Sequence, residues 1–347
     1  MSRETDDHAI KVFKDHMKAI ALYMDDSSVQ EIMINRPDDV WVEQNGKIFR
    51  AGDLNISDVN IRGAIKALAG ANNKGMSPVL DCRMTGLRIA AALHPVSING
   101  HALCIRKHAR SRRRLTDYLE QGAFEVFAPG AMVSTHDSAV ARPSDEDVSN
   151  GGEAVIRLLQ WIVQTRKNMI LAGGTSAGKT SLLNAIIAEI PEEDRVITIE
   201  DTAELQIASP NYVGLEVSES DGVTIRMLIR LSLRFRPDRI IVGEVRGAEA
   251  YDLLDAFNTG HSGGACTLHA DSALLALARL ENMVRMSPDA ANLPLPALRA
   301  QIASTFQFVI FASRKYGVRG PEEIIEILGV ENGEYRIKKL FIRVKEN

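Results

Sequence analysis

Eight residues near the middle of the chain restrict its fold more than any other feature. Gly173, Gly174, Thr175, Ser176, Ala177, Gly178, Lys179 and Thr180 fit G-x-x-x-x-G-K-[ST] without departure. The apolar run NMILAG leads into them, and Leu182, Leu183, Ile186, Ile187 and Ile190 follow at helical spacing with Pro191 behind. A buried strand must enter a tight glycine turn and leave it as a helix, which is one βα unit of a parallel sheet. Ordinary residue frequencies give such a match by chance in about one chain in a hundred. The flanking strand and helix lower that further. Glycines at these places let backbone N–H groups point inward at phosphate oxygens, and the helix that starts there adds its positive end. Lys179 is placed to reach the β- and γ-phosphates of a nucleotide, the Thr180 hydroxyl to ligate Mg²⁺, and Ser181 to extend the phosphate-binding set.

The rest of the C-terminal half repeats the alternation of strand and helix. RVITIED, RIIVGE and GACTLHA are short apolar runs with little period-2 character, as strands buried on both faces of a parallel sheet are. The last segment, IIEILGVENGEYRIKKLFIRV, reads as an antiparallel hairpin around Asn332-Gly333. The N-terminal part reads as mixed α/β. Ile10, Phe13, Met17, Ile20 and Met24 recur at helical spacing, EIMINR and VWVEQNGKIFR read as strands with a turn at Asn45-Gly46, and 58–69 reads as a helix. GLRIAAALHP and HALCIRKH read as strands on either side of Asn99-Gly100, and a helix is expected from Ser111. Small, polar, Pro and Gly residues dominate 128–152. The predicted division is an N-terminal α/β domain over 1–125, a linker over 126–152 and a P-loop domain over 153–347. A length of 347 residues suits two domains.

Composition narrows the classes of function. The net charge is −4, from 41 basic and 45 acidic residues, so no global basic field points to nucleic acid. The run Arg112, Arg113, Arg114 is the one local exception, and such a run also suits a solvated helix face or an acidic lipid or partner. Cys82, Cys104 and Cys266 match no metal-ligand spacing and read as reduced, packed thiols. The N-terminus carries acidic residues where a signal peptide is basic, and the apolar stretches fall far short of the ~20 residues that span a bilayer. A cytoplasmic protein is expected, associated with a membrane only peripherally.

Three further groups qualify for chemistry. Glu244 ends RIIVGE, where a P-loop protein carries an acid that holds the Mg²⁺ shell or polarises water. Glu200 and Asp201 end RVITIED, where one carboxylate can act as general base; the alternative is a helix N-cap at Asp201-Thr202. His261 and His269 flank ACTL, and residue physics alone favours simple packing for both.

In order, GGTSAGKT, RVITIED, LRFRPDRIIVGEVRG and NTGHSGGACTLHA resemble the phosphate loop, Asp box, Walker B and His box of the secretion ATPase superfamily of type IV secretion, type II secretion and type IV pilus machines. EIMINRPDDVWVE and HALCIRK extend the likeness to about 28–345, closest to the conjugal-transfer branch. The resemblance implies a hexameric ring of two-domain protomers, an N-terminal α/β domain and a RecA-like domain, with ATP and Mg²⁺ as cofactors. It gives Lys179, Glu200, Glu244 and His269 catalytic roles, directs Arg106 at the nucleotide, and places Arg234 and Arg236 in an arginine-rich segment. It also implies inner-membrane machine subunits as partners at the cytoplasmic face, and no stable nucleic-acid binding. Cys266 stands where Thr is commoner, and Ala177 where a small polar residue is usual. A pilus or type II secretion motor of the same superfamily is the alternative. A nucleic-acid-binding RecA-like translocase is the alternative of another class.

Overall fold

The structure is a computed structural model that describes residues 3–72, 77–84, 86–107, 140–315 and 318–343. The run Arg112 to Arg114, the helix expected from Ser111 and the linker portion 126–139 lie outside the described residues. The chain divides into two compact units. One runs to Ala91 and resumes at Gly100; the other takes Ala92–Asn99 and everything from Val140 onward.

The first unit contains α1 (Arg3–His16), α2 (Ala21–Asp25), β1 (Val29–Arg36), β2 (Asp39–Gln44), β3 (Lys47–Arg50), α3 (Asp58–Ala71), β4 (Val79–Met84), β5 (Leu87–Ala92) and β6 (Ala102–Lys107). Its sheet has the order β3-β2-β1-β6-β5-β4. β1 lies antiparallel to both neighbours, with Ile32 opposite Val42 on one side and Ile105 on the other. Asn45 and Gly46 both have positive φ, 52° and 77°, which is the backbone twist a two-residue hairpin requires. Ser57 caps α3 by accepting from Asn60 N at 3.3 Å, and Ile61, Ala64, Ile65 and Leu68 form its buried face. The periodicity at 8–24 is realised as α1, a 3₁₀ turn at Lys18–Ile20 and α2, not as one helix, yet Phe13, Met17, Ile20 and Met24 are all buried.

The second unit contains α4 (Asp145–Ser149), α5 (Glu153–Gln164), β7 (Met169–Gly173), α6 (Lys179–Ile187), β8 (Val196–Glu200), β9 (Tyr212–Glu216), α7 (Ile225–Ser232), β10 (Arg239–Val242), α8 (Glu249–Asn258), β11 (Ala265–Leu268), α9 (Ala273–Arg285), α10 (Leu295–Thr305), β12 (Phe308–Lys315), β13 (Val318–Glu331) and β14 (Glu334–Ile342). The sheet order is β14-β13-β12-β7-β11-β10-β8-β9. The six strands from β12 to β9 are parallel, and β13 and β14 add an antiparallel edge. β7, β8, β10 and β11 are buried along their whole length, which explains why they lack alternation in the sequence. Leu158 and Ile162 of α5 pack with Leu183, Ile186 and Ile187 of α6 against Met169, Leu171, Phe308 and Ile310 of the sheet. Each such side chain contributes about 1.5–3 kcal/mol by burial. Asp145–Ser149, inside the segment expected as linker, is helical and capped by Ser144.

The opposite edge of this sheet is covered from an unexpected place. Residues 96–98 lie against β9, with Ile98 N donating to Gly214 O at 3.1 Å and Glu216 N to Val96 O at 2.7 Å. A Cβ on Gly214 would stand 2.5 Å from Ile98 Cδ1, so glycine is required for that approach. Among the described residues no helix is long and apolar enough to cross a membrane.

Candidate active site

Because β7, β8, β10 and β11 are parallel, their carboxyl ends share one edge of the sheet, where an open α/β sheet binds its ligands. Each end carries one of the residues singled out by sequence: the glycine loop after β7, Glu200 at the end of β8, Glu244 after β10 and His269 after β11. β11 lies between β7 and β10, so the strand bearing His269 separates the loop strand from the acidic strand.

The loop is shaped by close approach. A Cβ on Gly173 would fall 2.4 Å from the Ala312 carbonyl oxygen on β12. Gly178 has φ +86° and forms the N-cap of α6, so the helix begins with free N–H groups facing the loop. The Lys179 ammonium lies across this mouth and donates to the carbonyl oxygens of Gly173 and Gly174, both at 3.1 Å. Burial pulls its pKa down, and the charge of Glu244 opposes that. Thr175, Ser176 and Ser181 are exposed, Ala177 is buried, and Gly174 and Thr180 are partly exposed.

Glu244 is the hub of the charges. Its Oε2 accepts from Arg246 Nη2 at 2.8 Å, and its Oε1 lies 3.2 Å from His269 Nε2. The Arg246 hydrogen bond holds the Glu244 carboxyl below the usual range against the effect of burial, and the charges of Arg246, His269 and Lys179 add to it. The strand end is fixed from both sides: Gly243 N donates to Ile199 O at 2.8 Å, and Thr267 Oγ1 to Gly243 O at 2.6 Å. Gly243, which displaces the acid by one residue from the apolar run, has no room for a side chain, because a Cβ would sit 2.9 Å from Glu200 Cγ.

Glu200 is turned elsewhere. It is buried, and its Oε1 accepts from the backbone N–H groups of Glu204 and Leu205, both at 2.9 Å. Burial raises its pKa and those two hydrogen bonds oppose the rise. No helix follows Asp201, so the N-cap alternative for Asp201 and Thr202 does not hold; the segment after β8 is an irregular loop tied to Glu200. Asp201 meets Arg246 Nη1 at 2.9 Å instead. The sequence reading passed over Arg246, which joins Glu244 to Asp201; its one signal was a basic residue two places after the acid in GEVRG.

Lys179, Glu244 and His269 are therefore brought together, with Arg246 behind them. A cleft of about 540 Å³ opens beside them, lined by Gly174, Thr175, His269, Asp271, Arg279 and Asn282. His261 is not part of this group; its Nδ1 lies 3.3 Å from Ala256 O at the end of α8. Arg106 is an exposed residue of β6 in the first unit, opposite Glu31 of β1. Arg236 pairs with Asp238 at 3.5 Å. Cys266 is fully buried on β11, where burial pushes its thiol up to about 12, so it packs and does not react.

Among the described residues no group of three or more His, Cys, Asp or Glu is placed to hold a metal ion. A Mg²⁺ that travels with a nucleotide needs fewer protein ligands, usually one or two beside phosphates and water. The site fits that need: Glu244 Oε1 is buried and accepts no hydrogen bond, and Thr180 stands at the first turn of α6.

A family model described as "Type II/IV secretion system protein" matches residues 146–314. The conjugal transfer protein TrbB of Rhizobium radiobacter is 32% identical over 324 residues, covering 91% of this chain and 89% of that one. The type IV secretion system protein VirB11 of Bartonella henselae is 31% identical over 340 residues, covering 92% and 94%. The crystal structure of the VirB11 ATPase of the Brucella suis type IV secretion system, in complex with sulphate, superposes with a TM-score of 0.81 at 28% identity over 92% of this chain and 96% of that one. The chain therefore belongs to the type II/IV secretion system protein family, on its conjugal-transfer and VirB11 side.

Proposed function

We propose that this chain binds ATP with Mg²⁺ on loop 173–181 and hydrolyses it to drive substrate transfer or pilus assembly in a conjugative type IV secretion machine. The observation that carries the proposal is the meeting of Lys179, Glu244 and His269 at the mouth of the glycine loop, where α6 begins. Lys179 leaves the two loop carbonyls to bind β- and γ-phosphate oxygens. Thr180 and Glu244 hold Mg²⁺, which when bound neutralises charge on the phosphates. Glu244 also orients the attacking water, and His269 stabilises charge on the γ-phosphate side. Glu200 serves turnover through the loop it holds, which presents Asp201 to Arg246. Arg106 is delivered to the nucleotide from the first unit, in the manner of an arginine finger. The working form is a homohexamer docked on inner-membrane machine subunits at the cytoplasmic face, peripheral to the bilayer and without stable nucleic-acid binding.

Two substitutions test this reading. Lys179→Ala abolishes turnover, a loss of at least ~10²-fold, because one group both binds phosphate and neutralises developing charge. Glu244→Gln keeps shape and nucleotide affinity and lowers turnover by ~10²-fold. ATP hydrolysis at the parent rate by Lys179→Ala protein overturns the proposal.

A further inference from the structure

The loop that follows β8 is tied to α6 by the side-chain amide of Asn184. Asn184 Oδ1 accepts from Gln206 N at 2.9 Å, and its Nδ2 donates to Glu204 O at 3.2 Å. Leu205, between those two residues, is buried and joins the core that includes Leu183 and Ile187 of α6. We propose that Asn184 is a positioning residue for hydrolysis, which keeps the face of α6 that carries Thr180 in register with the loop that steers Glu244. The proposal rests on the ATP reading above and adds to it a residue that acts through its neighbours.

The helix supplies one half of the argument. Thr180 and Asn184 stand in α6 at i and i+4, so their side chains share one face, about one turn apart. The face that Asn184 ties to the loop is therefore the face that presents the Thr180 hydroxyl. An amide held at both its oxygen and its nitrogen has little freedom to turn. The two bonds thus fix the rotation of the helix about its own axis as well as its distance from the loop.

The loop supplies the other half. The N–H groups of Glu204 and Leu205 donate to Glu200 Oε1, both at 2.9 Å, so the stretch that Asn184 grips also holds the acid at the end of β8. The Glu200 side chain lies against Gly243, where a Cβ would stand 2.9 Å from Glu200 Cγ, and Glu244 comes next in the chain. At its start the same loop places Asp201 2.9 Å from Arg246 Nη1, and Arg246 Nη2 donates to Glu244 Oε2 at 2.8 Å. Asn184 therefore begins a chain of contacts that ends on the Glu244 carboxylate, and along α6 it stands one turn from Thr180. Those two groups are the ones assigned to Mg²⁺ above. Glu204, Gln206 and Arg246 are exposed, so the links between them add little to stability. What they set is position, and an error of about 1 Å in a reacting group costs up to ~10²-fold in rate.

The experiment is a double-mutant cycle on the full-length protein, read as kcat and KM for ATP and as equilibrium affinity for ADP without Mg²⁺. Asn184→Ala is expected to lower kcat by about tenfold and to leave ADP affinity within about twofold. Asn184→Asp keeps the oxygen that Gln206 N–H needs and recovers part of the loss. Arg246→Gln acts on the same chain of contacts. Added to Asn184→Ala, it is expected to lower kcat by little more than the larger single loss, where independent residues would give about 10²-fold. A thermal melt of each variant separates folding from chemistry. A kcat at the parent value, whatever happens to the melting temperature or to ADP affinity, makes Asn184 a structural residue and overturns the proposal. A double variant whose losses multiply overturns it too. If Asn184→Ala does not fold, Asn184→Asp takes its place in the cycle, and the same two outcomes decide. A parent that neither binds ADP nor hydrolyses ATP removes the ATP reading itself, and the proposal with it.

Discussion

Glu244 lies among three basic side chains of different kinds, each in a different direction. Lys179 faces the loop, His269 faces the cleft, and Arg246 is the one that hydrogen-bonds the carboxylate directly. Arg246 is 64% exposed, so its pairing contributes little to stability, and its effect is on where the Glu244 oxygens point. Arg246→Gln is expected to lower kcat by about tenfold with nucleotide affinity nearly unchanged, and Arg246→Lys to recover part of that loss. Steady-state rates set beside equilibrium binding of ADP give the answer, and a fall in affinity alone refutes it. Glu200 makes the opposite case. Its pKa is raised chiefly by burial, which disfavours the charged form. The sign follows: the favourable contribution of the neutral acid is present at pH below the ordinary 4.5 and is lost as pH rises through the raised value. Glu200→Gln keeps an acceptor for the N–H groups of Glu204 and Leu205 and removes the group whose ionisation burial disfavours. Thermal melts at pH 7 are expected to show it at least as stable as the parent, whereas Glu200→Ala loses about 1–3 kcal/mol by stranding both N–H groups.

The amino ends of the same parallel strands carry a second set of charges with a different purpose. Arg239 opens β10 and is buried; its Nε donates to Asp194 Oδ2 at 2.8 Å and its Nη1 to Val163 O at 2.8 Å. Arg195 precedes β8, is also buried, and donates to Phe235 O at 2.8 Å and to Asn211. Asp194 joins Arg239 to Arg166. These arginines read in sequence as ordinary charged residues at strand starts, because nothing local says that loops will close over them. Breaking a buried pair leaves an uncompensated charge, so Asp194→Ala is expected to cost about 3–5 kcal/mol. Urea denaturation measures it, and a cost below ~1 kcal/mol would mean that the pair is wet. The opposite edge, where the glycine loop and Glu244 lie, is expected to tolerate the Arg246 changes without such a penalty.

At the scale of the whole molecule, the second unit is not a continuous stretch of sequence. It includes Ala92–Asn99, and these residues cover the β9 edge that would otherwise present unpaired N–H and C=O groups. A fragment of residues 140–347 retains every P-loop motif but loses that cover. It is expected to fold, to turn ATP over slowly for want of the first unit and Arg106, and to aggregate more readily than the full chain. Light scattering with ATP and Mg²⁺ is expected to find about six protomers for the full chain and not for the fragment. Full activity in a monomeric fragment would contradict both the ring and the role of the first unit.

Much of this molecule was legible residue by residue. The glycine loop, its strand and helix, the buried parallel strands and the two Asn-Gly hairpins follow from local rules: steric freedom at positive φ, helical spacing and the absence of alternation. Glu244 was singled out because it ends an apolar run, whereas for His269 residue physics alone favoured packing and only the likeness to a known box singled it out. Only the tertiary structure decided the rest. It inserted β11 between β7 and β10, which no local rule sets, and thereby put His269 beside Glu244. It turned Glu200 toward backbone N–H groups, brought Arg246 between Glu244 and Asp201, and made residues 92–99 part of the second unit, against β9. Such features depend on which strands become neighbours, and strand order is settled by packing over the whole chain, where side chains far apart in sequence compete for the same buried places.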